Sequence, residues 1–306
     1  MNISVVILTF NSEATLANTL AAARQVSDDI HIVDSHSTDE TAAIARRYSV
    51  NLVEHAFLNY SAQRNWATDH LPINREWELH LDADEQLSEE LIAELKDLKR
   101  RDDPGIVDGY HIPRLIRFLG RPIRHGGMYP IWHMRLFRRG KGRCERREYD
   151  QHFVVSGPTS SLRGPIIDDI RIPLTEWVSR HNRWSDAEVR DLTSVREQPF
   201  ITPRLFGSPI ERKRYFRNYY GRCPGLARAW LLFIYRYFLR LGFLDGKEGA
   251  IFFVLQTLWF RFLVDAKLFE RNLHSRSTKS PNSFDVHHST TGESAVRDTK
   301  NGSPIL

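Results

Sequence analysis

The segment Ile3-Ser4-Val5-Val6-Ile7-Leu8 constrains the fold more than any other stretch of this chain. It is β-branched and apolar on both faces, as a central parallel strand must be. It is too short to cross a bilayer and reads as a buried strand. Parallel strands need crossovers, and the following residues supply them. Asn11-Ser12 can cap a helix with Leu16, Leu20 and Ala23 on one stripe. Ile30 to Val33 predicts a second strand, followed by a polar turn and a helix from about Thr38 to Arg47. Asn51 to Glu54 predicts a third strand. Trp77 to Leu81 predicts a fourth, running into Asp82-Ala83-Asp84-Glu85. Ser88 then caps a helix that turns Leu91, Ile92, Leu95 and Leu98 inward. This rhythm argues for an α/β fold, with a parallel sheet and helices on both faces.

Beyond this region the pattern changes. Arg100 to Gly105 reads as an exposed loop, and Asp108 to about Gly164 is strand-rich. Arg171 to Glu197 reads as helical. Arg212, Lys213, Arg214, Arg217, Arg222 and Arg228 form a basic run interleaved with Tyr215, Phe216, Tyr219 and Tyr220. Two apolar helical segments follow, Leu226 to Leu244 and Ala250 to Phe269, split by Asp245-Gly246-Lys247-Glu248-Gly249. Arg228, Arg236 and Arg240 in the first, and Arg261, Asp265 and Lys267 in the second, argue against full membrane spans. From about residue 273 the chain is rich in Ser, Thr, Asn, Asp and His and is predicted to be disordered.

The balance of 43 Lys and Arg against 38 Asp and Glu gives a net charge of +5, which permits anionic partners without naming one. Two isolated cysteines, Cys144 and Cys223, make neither a disulfide framework nor a zinc site. Residues 1–8 lack the basic flank and long apolar run of a signal peptide, so a reducing, cytosolic setting is expected.

In an open parallel sheet, ligands bind at the carboxyl ends of the strands. Three polar clusters fall at such ends here: Thr9-Phe10-Asn11, Asp34 to Asp39, and Asp82-Ala83-Asp84. The first strand is followed by neither a Gly-x-Gly-x-x-Gly turn nor a Walker-type loop, so a pyrophosphate must be neutralised differently. Asp-x-Asp points to hard Mg²⁺ or Mn²⁺, which prefer carboxylate and phosphate oxygens. Alone it also fits a solvated turn. The three clusters together are more specific.

These residues carry a family resemblance. Val6-Ile7-Leu8-Thr9-Phe10-Asn11, Val33 to Thr41, Ala62-Gln63-Arg64-Asn65 and Leu81 to Glu85 resemble family 2 glycosyltransferases of the GT-A fold. Within that family the chain is similar to the lipopolysaccharide-core β-1,4-glucosyltransferase-like branch. The similarity rests on Leu136 to Gly140, Arg180 to Ser185, Gly242 to Gly246 and Arg261 to Lys267. The implied organisation is a GT-A domain over residues 1–200, an amphipathic helical region over 201–272 and a tail over 273–306.

The resemblance also implies roles. Thr9 and Asn11 line the nucleotide pocket, Asp34 and Asp39 hold base and ribose, and Ser37 belongs to the nucleotide-sugar site. Gln63, Arg64 and Asn65 contact the donor. Asp82 faces donor sugar or ribose, and Asp84 ligates the metal. The implied reaction is inverting transfer of a sugar, by default from a UDP-hexose, to a lipid-linked glycan in bacterial surface polysaccharide or lipopolysaccharide assembly. A nucleotidyltransferase or a non-catalytic sugar-nucleotide-binding protein are the alternatives.

Inversion needs a general base on the far side of the sugar. The branch carries a His-Glu pair where this chain has Asp150-Gln151, so that Glu is missing. Asp150 is the candidate base and Glu148 the second choice. His181 and Asn182 can orient the acceptor or serve the core. Trp66 and Trp77 read as packing, and Arg124-His125-Gly126-Gly127 as either an acceptor loop or a turn. Residues 212–269 read as a surface for anionic membrane on the cytoplasmic side, or else as an intramolecular or dimer helix pair. A nucleic-acid partner is not expected, because the acidic N-terminal pocket would repel a polyanion.

Overall fold

The computed structural model describes residues 2–100, 107–147, 150–194, 201–207 and 209–277. The first elements are β1 (Ile3–Thr9), α1 (Leu16–Ala23), β2 (Asp29–Asp34), α2 (Thr41–Arg47), β3 (Asn51–Glu54), α3 (Tyr60–His70), β4 (Trp77–Asp82), β5 (Glu85–Leu87) and α4 (Glu89–Arg100). Then come β6 (Gly109–Phe118), β7 (Arg121–Pro122), β8 (Ile131–Arg138), β9 (Gly142–Cys144), β10 (Phe153–Val155), β11 (Thr159–Ser161), β12 (Ile166–Ile170) and α5 (Leu174–Thr193). The helical part holds α6 (Pro209–Arg222), α7 (Ala227–Ile234), a π-helical turn at Tyr235–Leu239 and a 3₁₀ turn at Gly242–Asp245. It continues with α8 (Gly246–Phe253), a second π-helical stretch at Val254–Trp259, and α9 (Phe260–Ser277). Residues up to 269 form one compact unit and those from 270 a second.

The main sheet runs β3-β2-β1-β4-β8-β6-β12-β5. β3, β2, β1 and β4 are mutually parallel, and β8 is inserted antiparallel between β4 and β6. All seven residues of β1 are buried. Val5 and Ile7 join the core under α1, with Leu16 and Leu20, while Val6 and Leu8 face the other layer, with Ala67 and Leu71 of α3. Each large apolar side chain buried this way contributes about 1.5–3 kcal/mol, which explains why the strand tolerates no exposed face.

The predicted strands and the α4 stripe are present, with Ser88 Oγ accepting from Leu91 N at 3.1 Å. Four boundaries differ from expectation. α1 begins at Leu16 behind Thr15, because Asn11 is left-handed (φ 46°) and is engaged with the next loop. α2 begins at Thr41, because Asp39 accepts from Thr41 N at 3.0 Å. The two apolar segments part at left-handed Leu241 (φ 60°), while Gly246 already starts α8. α9 continues to Ser277, past the point where a tail was expected. The expected loop over Arg101 to Gly105 lies outside the described residues. So does the expected tail from 278 on.

α8 and α7 pack on the sheet side: Phe252, Phe253 and Phe233 cluster with Ile116, Phe118, Ile123 and Met128. One helical stretch, Gly242–His274, is long and apolar enough by composition to cross a membrane, although 39% of its apolar window is buried inside the protein. Several charges there have internal partners. Arg228 Nε lies 2.9 Å from Asp265, and Arg261 Nη1 lies 2.8 Å from Glu188.

Candidate active site

The end of β1 and the end of β2 lie side by side, with Thr9 opposite Asp34 in register. Thr9 Oγ1 and Ser37 Oγ both donate to Asp34 Oδ1 at 2.6 Å, and Ser37 N donates to Oδ2 at 2.7 Å. Asp34 is therefore a buried organiser with its acceptor capacity largely used. The rim is formed by Asn11, Ser37 and Asp39. Asn11 N donates to Ser37 Oγ at 2.8 Å, and Thr38 N donates to Asn11 Oδ1 at 2.9 Å. Asp39 ties the two loops together by accepting from Glu13 N and Thr41 N, both at 3.0 Å. Burial opposes its charge, but these hydrogen bonds hold its carboxyl below the usual range.

The wall beside this rim is α3, a helix the sequence pattern did not reveal. Its inward residues are Ser61, Gln63, Arg64 and Ala67. Gln63 Nε2 donates to His55 O at 3.0 Å and to Ser35 Oγ at 3.2 Å. Asn65 exchanges two 2.9 Å hydrogen bonds with the Cys144 backbone, so it joins α3 to β9 instead of facing the pocket.

At the end of β4, charges are arranged around Asp82. Arg64 pairs with Asp82 and donates to Leu81 O at 2.9 Å. Arg135 Nη2 of β8 lies 2.9 Å from Asp82 Oδ2 and 2.7 Å from Glu85 Oε1. Glu85 Oε2 accepts from Asp82 N at 2.9 Å. Burial works against the Asp82 charge, but Arg135 and Arg64 hold its carboxyl well below the usual range. Arg135 shows no signature in the local sequence, and Glu85, although it closes the Leu81 to Glu85 motif, is not marked there as its partner. Their pairing arises only when β8 inserts beside β4.

Asp84 is treated differently. Its carboxylate has no ion pair or hydrogen-bond partner among the described residues. Burial, with the nearby carboxylates of Asp168 and Asp82, pushes it up to about 7 against the opposing charge of Arg180. Asp168 of β12, 3.6 Å from Arg114, is pushed up to about 6, chiefly by burial. Among the described residues no set of three His, Cys, Asp or Glu side chains could hold a metal unaided. A hard cation still fits the donor chemistry, because Mg²⁺ is commonly held by one or two carboxylates completed by substrate phosphates and water.

The sequence model of Glycosyl transferase family 2 matches residues 4–171, more than half of the chain. The chain belongs to this family. The transferase is 26% identical over 278 residues to the lipopolysaccharide core biosynthesis glycosyltransferase LpsC of Rhizobium meliloti, covering 88% of this chain and 93% of that protein. It is 28% identical over 294 residues to a glycosyltransferase of Rickettsia typhi, covering 92% and 91%. Among solved structures, S. aureus TarS 1–349 aligns over 94% of each chain at 13% identity, with a TM-score of 0.40. The GT-A fold expected from the motifs is the fold of this family.

A second charged cluster of the transferase lies around Asp150, a left-handed residue (φ 54°). Lys213 Nζ is 2.7 Å and Arg217 Nη1 is 3.0 Å from its carboxylate, with Arg214 at 3.6 Å and His152 at 3.4 Å. Burial raises the Asp150 carboxyl, but Lys213, His152 and Arg217 outweigh it and hold the group well below the usual range. Arg214 also pairs with buried Glu145, and Arg217 lies 2.7 Å from Glu188. The basic run of α6 therefore points inward to a large extent. Glu148, the second candidate base, lies outside the described residues.

His181 stacks on Trp177 with ring centres 3.4 Å apart, and its Nε2 lies 2.9 Å from Gln256 Oε1. Asn182 Oδ1 accepts from Lys267 at 2.9 Å. His181 serves packing, and Asn182 is an exposed partner of Lys267. Trp77 is fully buried, and Trp66 stacks on His55 with ring centres 4.0 Å apart.

Proposed function

We propose that the protein transfers a hexose from a uridine diphosphate donor, with inversion and with a divalent cation, to a glycan carried on a lipid. The observation that carries this reading is the contrast between Asp82, ion-paired to two arginines, and Asp84, which makes no ion pair among the described residues at the same strand end. Thr9, Asn11, Asp34, Ser37 and Asp39 form the nucleoside end of the pocket. Gln63 and Arg64 set its wall, and Asn65 fixes that wall to β9. Asp82 faces the donor sugar or ribose. Asp84 would hold Mg²⁺ or Mn²⁺. When bound, that ion supplies charge neutralisation for the departing nucleoside diphosphate.

Asp150 is the proposed base for the acceptor hydroxyl, and Glu148 the second candidate. Lys213 and Arg217 suppress the basicity of Asp150, so the acceptor must displace Lys213 for proton transfer to occur. The similarity to LpsC supports a place in lipopolysaccharide or surface polysaccharide assembly, and the lipid-borne acceptor would put the protein at the cytoplasmic face of a bacterial plasma membrane. The quenched Asp150 also favours a second reading, a sugar-nucleotide-binding protein without transfer activity.

Incubation with UDP-hexoses and Mn²⁺, without acceptor, separates the two. Slow release of UDP that disappears with EDTA and in Asp84→Asn is expected. A protein that binds UDP but never releases it from any UDP-hexose would favour the non-catalytic reading.

A further inference from the structure

The turn between α7 and α8 carries the densest run of exposed apolar side chains in the described chain. Phe238, Leu239, Leu241, Phe243 and Leu244 are 53%, 71%, 47%, 44% and 48% exposed within seven residues. A soluble surface rarely concentrates such residues without a partner. Exposed cations surround them. Arg240 belongs to the turn, Lys247 follows it, and Arg121 reaches to within 3.5 Å of Leu244 O. Arg124 is also exposed and stands close by, since its backbone N–H bonds Asp245.

The same turn is clasped to the loop between β7 and β8. Buried Asp245 accepts from Arg124 N at 3.2 Å and from His125 N at 2.9 Å, and it lies 2.6 Å from His125 Nδ1. Gly126 N donates to Arg240 O at 2.8 Å. Gly126 is left-handed (φ 64°), and a Cβ there would meet the Phe253 ring at 2.2 Å, so only glycine allows the approach. Of the two readings for residues 124–127, a free acceptor loop or a turn, this clasp favours a held turn. The antiparallel β4–β8 ladder pairs Leu79 with Leu136, which brings the end of β4 level with the start of β8. The clasped loop leads into that start. It therefore lies at the same end of the sheet as Asp82 and Asp84.

We propose that the 238–244 turn seats in the headgroup layer of an anionic lipid surface, and that the Asp245 clasp carries this seating to the loop at the donor-site end of the sheet. This rests on the lipid-borne acceptor proposed above. Apolar side chains enter the interface while the surrounding Arg and Lys meet anionic headgroups. A second copy of the chain would bring the same four cations against their like, which disfavours self-pairing of this turn. Of the cations expected to meet headgroups, Arg214, Arg217, Arg228 and Arg261 are paired internally. The docking surface is thus much narrower than residues 212–269.

Flotation with vesicles of phosphatidylcholine alone, or mixed with phosphatidylglycerol, tests the seating. The full chain is expected to float with the anionic mixture and to lose most of this at high salt. The double variant Leu239→Glu, Phe243→Glu is expected not to float, while its titration with UDP and Mn²⁺ stays unchanged. Hydrogen exchange tests the clasp. Vesicles are expected to slow exchange at the Arg124, His125 and Gly126 amides several-fold. In Asp245→Asn that slowing is expected to vanish although the protein still floats.

Four results would overturn the proposal. The double variant could float like wild type, or wild type could bind UDP and stay off anionic vesicles. The double variant could lose a self-association that wild type shows. Loop exchange in wild type could ignore vesicles. Failure of wild type to bind any nucleotide would instead strike the donor reading and leave the vesicle result to stand on its own.

Discussion

The two charged regions of the molecule handle carboxylates in opposite ways. At the end of β4, Arg135 pairs with both Asp82 and Glu85 and Arg64 pairs with Asp82, whereas Asp84, two residues on, is crowded by like charges and makes no ion pair among the described residues. Around Asp150 the proportion reverses, and Lys213, Arg214 and Arg217 converge from one helix on one carboxylate. The first arrangement has room for a ligand's positive charge. The second is closed upon itself and fastens α6 to the loop at residues 145–152 and to α5. A buried group left short of counter-charge is a candidate for binding. A buried group with a surplus is more often a fastening, and chemistry there requires it to open.

The comparison breaks most visibly at Asp150. If it is the base, Asp150→Asn should lower transfer about 10²- to 10⁴-fold while UDP binding persists. Steady-state rates beside nucleotide titration would show this. Wild-type turnover would leave Asp150 as a fastening only.

Arg135→Met should be nearly as damaging, but to the fold. It leaves Asp82 and Glu85 short of a partner, at about 3–5 kcal/mol. Urea denaturation measures it, and a loss below about 1 kcal/mol would mean that Arg64 alone suffices.

Acid should act more gradually. Burial holds His80, His152 and His181 at about 4, below the usual 6.5. The unfolded chain takes up protons first, so stability falls as pH drops from about 6.5 to about 4. Each histidine contributes on the order of 1 kcal/mol per pH unit. Denaturation midpoints that stay flat across this range would contradict buried neutral imidazoles.

The smallest effect is expected for Lys213→Met. Removing that cation raises the Asp150 carboxyl, so the acid limb of the rate profile should move to higher pH. An unmoved limb would exclude Asp150 as the group that titrates.

Much of the donor side was legible in the sequence because its placement is local. β1 is apolar on both faces, and Thr9, Asp34 and Asp82 terminate strands whose patterns are plain. α3 was missed because its buried face is Ser61, Gln63 and Arg64, so the apolar stripe that betrays an amphipathic helix is absent. Arg135, Asp168 and the pairing of Glu85 with Arg135 are hidden for another reason. They meet only through the insertion of β8 and the pairing of β12 with β5, contacts between residues far apart in the chain. The basic run 212–228 was visible, but its direction was not. A helix of arginines looks alike whether it faces headgroups or buried carboxylates, and only the positions of Glu145, Asp150 and Glu188 decide it.

Asp84 is proposed to mark the place of a cation that holds a nucleoside diphosphate. Calorimetric titration of the protein with UDP, GDP and dTDP, in Mn²⁺ and in EDTA, repeated for Asp84→Ala, tests it most directly. Binding of one nucleotide that requires Mn²⁺ and is lost in a folded Asp84→Ala protein is the expected result. Equal nucleotide affinity with EDTA, or in Asp84→Ala, would contradict it.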